Sequence, residues 1–531
     1  IAFASGADGT ISVAADKIIT GNVTNGADGQ GTLTLAAPTA DRTLVTGTIG
    51  SGSDALKILN IAVLSHDTTF GNTVLADTIN ITQASGTDGT VVFSGDVAAA
   101  TGMVLTGADV IAQFASGGSY SSAGAITTAT TDTGELHFLG STQVVAGAVG
   151  ASSKLLKLIQ VSGNGDTTFS GPVYATTTTI DGTSIVAMAA SQLLTSNVNF
   201  TGATGGTLRI NTGNFTGNVT TANTGRGTVS TAGAATFTGT MGASGAIIAM
   251  VDINHTAGIT GSVYATEVDI DVATLSMSAG ADITGNVDFS ADGVLALASG
   301  VDVTGTILPS GGNGMGTVNV AGTSTITGQI GNAGGHDLAL LALTTSGAVL
   351  SVGSGIEATA VTLAAGTELK YIEADNVTAH TGNLVVTGTG KVNVGTATVT
   401  VSGTLTMPAT STFMVTIGDT NGKLVHSTAA SAFIATTGLL EPVIAGRIIS
   451  GAAITVFAGA AAPNLPSVTD NYDRYSFALA VCNTNDLCLT PTLVTPAGVS
   501  AAGAAVNKVA DVAFAADTAM SGALNLLSGA A

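Results

Sequence analysis

The sequence predicts an all-β protein, a right-handed parallel β-solenoid with about 22–24 residues in each rung. Two observations predict this fold class. A short pentapeptide returns at almost constant spacing along most of the chain, and the composition suits narrow stacked strands. A longer repeat of about four rungs lies above the pentapeptide.

The pentapeptide consists of an apolar residue, a hydroxyl residue, glycine, any residue and a second apolar residue. Successive copies start 22, 22, 24, 20 and 23 residues apart. Because repeats of 20–50 residues indicate stacked units, and no helical pattern intervenes, each copy predicts one rung. The clearest copies are FTGNV (215–219), FTGTM (237–241), ITGSV (259–263), ITGNV (283–287), VTGTI (303–307) and ITGQI (326–330).

Looser copies extend the repeat in both directions. One copy is missing between Phe93 and Val145, whose separation of 52 residues is about two steps. The looser copies are ITGNV (19–23), VTGTI (45–49), FGNTV (70–74), FSGDV (93–97), VAGAV (145–149), FSGPV (169–173), LTSNV (194–198) and VSGTL (401–405).

Within each copy, the two apolar residues are expected to face the core. Positions 1, 3 and 5 point the same way on a strand, which would put the glycine between them on a crowded face. A turn at the glycine fits the pattern equally well.

The longer repeat is seen in four related segments. Their second glycines, Gly50, Gly150, Gly242 and Gly331, are separated by 100, 92 and 89 residues. The sequence therefore predicts a module of about four rungs, duplicated about four times. The segments are TGTIGSGSDALKIL (46–59), AGAVGASSKLLKLI (146–159), TGTMGASGAIIAMV (238–251) and TGQIGNAGGHDLALL (327–341).

The composition supports stacked strands and excludes one class of partner. Charged residues are only 9% of the chain, whereas 45% of it is hydrophobic and 72 residues are glycine. The net charge is −21, and the 13 Lys and Arg residues are scattered. Because nucleic-acid binding needs clustered cations, nucleic acid is excluded as a main partner. An acidic surface would instead attract divalent cations.

The two cysteines, Cys482 and Cys488, lie in AVCNTNDLCLT, between two apolar β-type segments. This pattern predicts a hairpin closed by a disulfide and hence an oxidising compartment. A metal pair is the alternative, although no further His or Cys lies nearby. The predicted domains are the solenoid (1–415), a C-terminal β cap with this hairpin (416–497) and an Ala-rich helical linker or tail (498–531).

Several segments resemble a known family. STITGQIGNAGG (324–335), the related TGxIG segments followed by leucines, and ITGSVYATEVDI (259–270) are similar to the passenger repeats of rickettsial outer-membrane protein B and related autotransporters. The similarity covers most of residues 1–415. RYSFALAVCNTNDLCLTPTLV (474–494) resembles the hairpin-rich cap at the end of such passengers.

The resemblance implies a secreted β-solenoid passenger displayed on a Gram-negative surface, in a family whose members form protein coats or act as adhesins. In that family a helical segment such as 500–527 leads into a membrane barrel. The run of alternating membrane strands expected after such a segment is not found before Ala531. A cleaved barrel and a different route to the surface are both open.

The search for chemistry finds few candidates. His66, His137, His255, His336, His380 and His426 share no metal-ligand spacing and are expected at the surface or in turns. Arg209 and Arg226 are the basic residues that a polysaccharide lyase would need, but no acidic cluster accompanies them. Recurrent Asp-Gly pairs are expected to form turns.

Asp252, Asp269 and Asp271 are the candidate calcium ligands, in the most acidic stretch of the solenoid. Asp269 and Asp271 would face the same way on a strand, with Asp252 one rung below. Solvated edge residues are the alternative interpretation. Calcium is the only cofactor that the sequence suggests.

The function expected from these observations is structural. The chain would be a non-enzymatic extracellular protein that assembles with copies of itself into a bacterial surface layer or filament. The alternative is a monomeric adhesin that binds host cells or glycans. An outer-membrane barrel and a cell-surface glycan are further candidate partners.

Overall fold

The computed structural model describes residues 1–494, except 5, 7, 84–88, 116, 333–334, 373–376, 427–437, 447, 460–465, 469–474 and 484. The predicted helical tail (498–531) lies outside the described residues. Throughout the described part the secondary structure is β-strand, with no helix. The chain divides into two units, Ile1–Val268 and Asp269–Ala531.

The strands of the first unit are short, and most join to the next through a bend of a few residues. Strand β27 (Val263–Ile270) contains the last residues of the first unit and the first two of the second. The others are β1 (Ala2–Phe3), β2 (Thr10–Val13), β3 (Thr24–Asn25), β4 (Gln30–Leu35), β5 (Arg42–Val45), β6 (Leu56–Val63), β7 (Thr68–Phe70), β8 (Val74–Gln83), β9 (Gly89–Phe93), β10 (Val97–Thr106), β11 (Val110–Phe114), β12 (Ala125–Thr128), β13 (Thr133–Leu139), β14 (Gln143–Val145), β15 (Leu156–Ser162), β16 (Asp166–Phe169), β17 (Val173–Ile180), β18 (Ile185–Met188), β19 (Gln192–Phe200), β20 (Thr207–Ile210), β21 (Gly213–Thr216), β22 (Val219–Thr221), β23 (Thr228–Thr231), β24 (Ala235–Thr238), β25 (Ile248–Ile253) and β26 (Ala257–Ile259).

The second unit continues in the same style until its last strands. Its strands are β28 (Thr274–Met277), β29 (Ile283–Asp288), β30 (Val294–Leu297), β31 (Val303–Thr304), β32 (Ile307–Leu308), β33 (Met315–Val320), β34 (Ser324–Ile326), β35 (Leu338–Leu343), β36 (Val349–Val352), β37 (Ile356–Leu363), β38 (Glu368–Tyr371), β39 (Val377–Val386), β40 (Lys391–Asn393), β41 (Thr398–Val401), β42 (Leu405–Thr406), β43 (Thr412–Gly418), β44 (Lys423–His426), β45 (Leu439–Ala445), β46 (Ile454–Gly459), β47 (Ser467–Val468), β48 (Tyr475–Cys482) and β49 (Asp486–Leu493).

The first unit is a parallel β-solenoid, which confirms the predicted fold class. Each strand pairs in parallel with the strand one rung later, and the inward side chains form three stacked columns. Column 1 runs Ile19, Val45, Phe70, Phe93, Phe114, Phe138, Val161, Ile180 and Phe200. Column 2 runs Val23, Ile49, Val74, Val97, Tyr120, Val145, Phe169, Met188 and Ile210. Column 3 runs Leu33, Leu59, Ile79, Met103, Ile126, Val149, Val173, Leu194, Phe215, Phe237 and Ile259.

The columns explain why the composition is rich in small and β-branched residues. All these side chains are almost completely buried, and β-branched residues fit closely stacked strands. In column 1 four phenylalanines stack on one another, with ring centroids 5.4, 5.6 and 5.2 Å apart from Phe70 to Phe138. Offset stacking of this kind adds to the burial of the rings.

The pentapeptide forms the corner between two columns. In FTGNV, Phe215 ends in column 3 within β21, the chain bends at Gly217, and Val219 begins β22. Both apolar residues face the core, as predicted. The glycine lies at a turn, the second of the two alternatives that the sequence left open.

Glycine is required at this corner because successive rungs touch there through their backbones. Gly239 occupies the corner one rung after Gly217 and has φ +122°. A Cβ on Gly239 would lie 2.0 Å from the carbonyl oxygen of Gly217, closer than any side chain can approach. Gly239 therefore cannot carry a Cβ unless the backbone of one of the two rungs shifts.

The fourth position of the pentapeptide joins the rungs. Where it is asparagine, the side-chain oxygen accepts a hydrogen bond from the backbone N–H of the matching residue one rung later. Asn218 Oδ1 accepts from Thr240 N at 3.0 Å, and Asn286 Oδ1 accepts from Thr306 N at 3.1 Å. These bonds satisfy corner amides that the parallel strands cannot reach.

The corner motif moves around the solenoid along the first unit. The copies up to Phe93 link column 1 to column 2, and those starting at Val145 and Phe169 link column 2 to column 3. Copies from Leu194 onward begin in column 3. The copy that seemed missing is a longer corner, in which five residues rather than three separate Phe114 from Tyr120.

The second unit is also a parallel β-solenoid with three inward columns. Column 4 runs Leu295, Val318, Leu341, Val361, Leu384 and Leu405. Column 5 runs Ile283, Val303, Ile326, Val352 and Tyr371. Column 6 runs Val287, Ile307, Ile330, Ile356, His380, Val401 and His426.

Strand pairing changes near the end of the described chain. Parallel pairing continues past residue 415, the predicted end of the solenoid, through β43 with β45 and β44 with β46. Strand β49 then pairs antiparallel with both β46 and β48. The hairpin β48–β49 is closed by a disulfide between Cys482 and Cys488, whose Cα atoms are 5.9 Å apart.

Removal of this disulfide is expected to loosen the hairpin without unfolding the solenoid. Replacing both cysteines by serine frees a short loop, and the entropy model predicts a local loss of about 2 kcal/mol. Amide hydrogen exchange in β48 and β49 should become about 30-fold faster, since 1.4 kcal/mol corresponds to a factor of about ten. Amides in β16 and β18 are the internal control, and equal protection of the hairpin in both proteins would contradict the prediction.

Candidate functional site

The three candidate calcium ligands have different surroundings. Asp252 lies on β25 and accepts a hydrogen bond from Asn254 Nδ2 at 2.7 Å. Asp271 follows β27 and accepts one from Ser290 Oγ at 2.7 Å. Asp269 lies on β27, and its Oδ1 atom is buried with no hydrogen-bond partner. An unpartnered buried carboxylate oxygen is costly, so Asp269 is the most notable of the three.

The described part of the chain holds no preformed cluster of metal ligands. Among the described residues, no group of three or more His, Cys, Asp and Glu side chains is placed to hold a metal ion. The calcium assignment of Asp252, Asp269 and Asp271 therefore stays a prediction.

The histidines are not all in surface positions. His380 is fully buried and His426 is 5% exposed, so for these two the expectation of surface or turn positions is wrong. Both belong to column 6, where Val401 separates them by two rungs, or about 10 Å. His380 is the first residue of HTGNL (380–384), a further pentapeptide copy in which histidine takes the place of the first apolar residue. This first position faces the core.

His380 forms a buried polar pair with Tyr371. The Tyr371 hydroxyl donates to His380 Nδ1 at 2.8 Å, when that nitrogen carries no proton, while Nε2 is buried without a partner. Burial lowers the pKa of His380 to about 4 and raises that of Tyr371. The imidazole is therefore held neutral in the folded protein.

The clearest charged cluster lies in the first unit. Lys157 Nζ contacts Glu135 at 2.8 Å and Asp109 at 3.0 Å, and His137 contacts Glu135 at 3.1 Å. The hydrogen bond from His137, with help from Lys157, lowers the pKa of Glu135. The hydrogen bond to Glu135 raises the pKa of Lys157.

The same ion pair occurs in the preceding module. Lys57 is the counterpart of Lys157 in the longer repeat and pairs with Asp8. Each lysine reaches back about two rungs, 49 residues for Lys57 and 48 for Lys157. The repetition of this ion pair indicates that the cluster ties rungs together.

The two candidate lyase arginines do not form a basic centre with acidic neighbours. Arg209 is exposed on β20, and its column continues through Ser230 to Asp252, two rungs away. Arg226 directly follows the turn at 224–225 and precedes β23. Within the described residues neither guanidinium forms an ion pair.

Each copy of the longer repeat builds a tight turn that leaves the solenoid surface. Gly50, Gly150 and Gly242 in the first unit have φ between +68° and +75°, and the next four residues close through two backbone hydrogen bonds. The turns of this unit are Ser51–Asp54, Ala151–Lys154 and Ala243–Ala246, and in the second unit the backbones of Asn332 and His336 are joined by the same two hydrogen bonds. The tips of the three turns of the first unit are mostly exposed and differ in charge.

The turns do not lie above one another, because the spacing of the modules is not a whole number of rungs. The turn at Ser51 follows Ile49 in column 2, whereas the turn at Ala151 follows Val149 in column 3. The same kind of turn therefore occurs at different corners of the first unit.

A cleft of about 250 Å³ lies beside the first turn. Its walls carry the carboxylates of Asp28 and Asp77. Burial, with the nearby charge of Asp28, raises the pKa of Asp77. Within the described residues no lysine or arginine pairs with either carboxylate. The other lining residues are Ser51, Gly52, Ser53, Ala55, Leu75, Ala76, Ala98, Ala100 and Ser122.

Comparison with known proteins adds no assignment. No protein-family model matches the chain, and no curated protein matches it. Among the described residues, no helix is long and apolar enough to cross a membrane.

Proposed function

We propose that this protein is an extracellular structural subunit that assembles with copies of itself into a bacterial surface layer or filament. The observation that carries the proposal is the repeated surface element. One rigid turn is built once per module and appears at different corners of the first unit, on a scaffold whose cores hold almost only apolar side chains. Such a body offers contact points of the same backbone geometry in several directions.

Three further features support an assembling role. At the corners, successive rungs are joined by close backbone contacts and by hydrogen bonds from backbone N–H groups to asparagine side chains. These contacts stiffen the scaffold although the chain has few charged residues. The low charge content of 9% leaves broad hydroxyl- and amide-rich faces. The disulfide suits an oxidising location outside the cytoplasm, and the resemblance to autotransporter passengers supports display at the cell surface.

Calcium is proposed as the accompanying ion. The support is the net charge of −21 and the partly exposed carboxyl group of Asp269, one of the three candidate ligands. Carboxylate oxygens are the ligands that Ca²⁺ prefers. A cation shared between copies would complete a coordination shell that one copy lacks.

The proposal is tested by electron microscopy and sedimentation velocity on the full chain, with 2 mM calcium or with a chelator. We expect ordered sheets or filaments with calcium and their loss on chelation, and Asp269→Asn should weaken the calcium effect. Glu368→Asn, a substitution of a half-buried carboxylate in the second unit, is the control.

An outcome of isolated particles at every protein concentration and in both buffers would contradict assembly. Binding of such particles to cells would then favour the adhesin, the alternative that the Thr- and Asn-rich faces also suit. Sheets that persist after chelation would support the structural role and would contradict the proposed need for calcium.

A further inference from the structure

The cleft beside the first turn has the chemistry of a lysine-binding site. Asp28 and Asp77 supply negative charge, and among the described residues neither forms an ion pair with a lysine or arginine, although Asp28 Oδ1 accepts a hydrogen bond from the backbone N–H of Ala55 at 2.9 Å. Leu75, Ala76, Ala98 and Ala100 supply apolar wall, and the serines supply hydroxyl groups. A lysine side chain is complementary to this cleft, because its stem is apolar and its end carries a positive charge. A bare ion would not use the apolar wall.

The first unit carries a lysine that suits this cleft. Lys154 is exposed at the end of the second turn, and its backbone N–H and C=O are fixed by the two hydrogen bonds to Ala151. Within the described residues its ammonium group has no counter-ion. By contrast, Lys57 and Lys157 are both engaged in ion pairs.

The two features cannot meet within one copy. The cleft turn follows column 2 and the Lys154 turn follows column 3. Asp77, the cleft carboxylate nearer to Lys154, precedes it by 77 residues, which is about three rungs. At about 4.8 Å for each rung, the separation along the stack is about 15 Å. A lysine side chain cannot span that distance.

We propose that Lys154 of one copy inserts into the Asp28–Asp77 cleft of a second copy. The inference rests on the proposed self-assembly and names a contact within it. Because the tip and the cleft are different surfaces, the contact is heterologous. Each added copy leaves one free cleft and one free tip, so the contact propagates as a filament or layer requires.

The test is a charge-reversal series on the full chain, with assembly followed by sedimentation velocity and electron microscopy. Lys154→Glu and Asp77→Lys should each raise the protein concentration needed for assembly by about tenfold or more, because like charges then face each other. Combining the two reversals should restore assembly to within about threefold of the wild type. Lys370→Glu, an equal charge change at an exposed position on β38, is the control.

A second measurement needs no variant. A carbodiimide links an amine to a carboxylate only when the two are in contact, so assembled wild-type protein should give a Lys154–Asp28 or Lys154–Asp77 crosslink by mass spectrometry. The crosslink should disappear in dilute protein. Circular dichroism establishes that each variant is folded, and Asp28→Lys replaces Asp77→Lys if the latter is not.

The outcomes separate this inference from the proposed function. Wild-type protein that assembles while Lys154→Glu behaves identically, or folded double variants that fail to recover, would overturn the lysine contact alone. Wild-type protein that stays monomeric at every concentration would overturn both.

Discussion

Replacement of Gly239 by alanine is expected to unfold the rungs around it. The added Cβ would lie 2.0 Å from the carbonyl oxygen of Gly217, and the backbone φ of +122° is unfavourable for an L-residue. Because the close atom belongs to the backbone of the preceding rung, no side-chain rotation relieves the contact. We expect a loss of about 3 kcal/mol or more.

A neighbouring glycine provides the control. Gly258 lies on β26, one rung later, and a Cβ there would have no atom within 4 Å. Gly258→Ala should leave the unfolding free energy unchanged or raise it by about 0.5 kcal/mol, because alanine restricts the unfolded chain. The pair of variants therefore separates the corner contact from a general effect of removing glycine.

The measurement should resolve position along the chain. In a solenoid each rung contacts only its neighbours, so the damage should be local before it is global. Hydrogen exchange should show lost protection in β22, β24 and β26, with smaller changes in β6 and β8. Equal exchange in the two variants would show that the corner tolerates a side chain.

The corner glycines mark how far the sequence could predict the fold. The pentapeptide spacing gave the rung length, and the apolar pair at its ends gave the inward residues such as Phe215 and Val219. The pentapeptide pattern does not show at which of the three corners a copy lies, because copies at all three corners have similar sequences. Only the 52-residue gap between Phe93 and Val145 carried a signal of the shift between columns.

The candidate sites were harder to predict, for a different reason. Lys154 and Asp77 are far apart in sequence and lie beside turns that the longer repeat does locate. The spatial separation of Lys154 and Asp77 depends on which columns the two turns follow. That assignment can be made only when the register of every rung is known. Asp28 and Asp77 come together only through stacking, without a spacing that a short motif could reveal.

Buried His380 is expected to make the second unit sensitive to acid. The pKa of an unfolded histidine is about 6.5, and burial lowers that of His380 to about 4. The folded state therefore binds fewer protons than the unfolded state across this range. Stability is complete above about pH 6.5 and falls as the pH drops towards 4, by up to about 3 kcal/mol.

The structural cause is the burial of the imidazole, which disfavours its charged form. Nδ1 of His380 accepts from the Tyr371 hydroxyl, and Nε2 faces the core without an acceptor. Other ionisable groups near this column are Glu357, 3% exposed and paired in register with Thr381, and His426 two rungs away. Neither accepts the proton of Nε2.

Replacing His380 by valine and Tyr371 by phenylalanine together should remove this acid sensitivity. The double change leaves no orphan polar group and gives column 6 another β-branched residue, like its neighbour Val401. Denaturant unfolding of the second unit, measured from pH 7.5 to 4, should show a shallower decline in the double variant. The carboxylates, unchanged in both proteins, cancel in the difference.

The control is His255→Val, because His255 is exposed in the first unit. This variant should keep the wild-type pH dependence of the second unit. A double variant whose stability falls with acid as steeply as the wild type would place the titrating group elsewhere. A buried imidazole in an otherwise aliphatic column would then have no part in the acid response, and its hydrogen bond with Tyr371 would be purely structural.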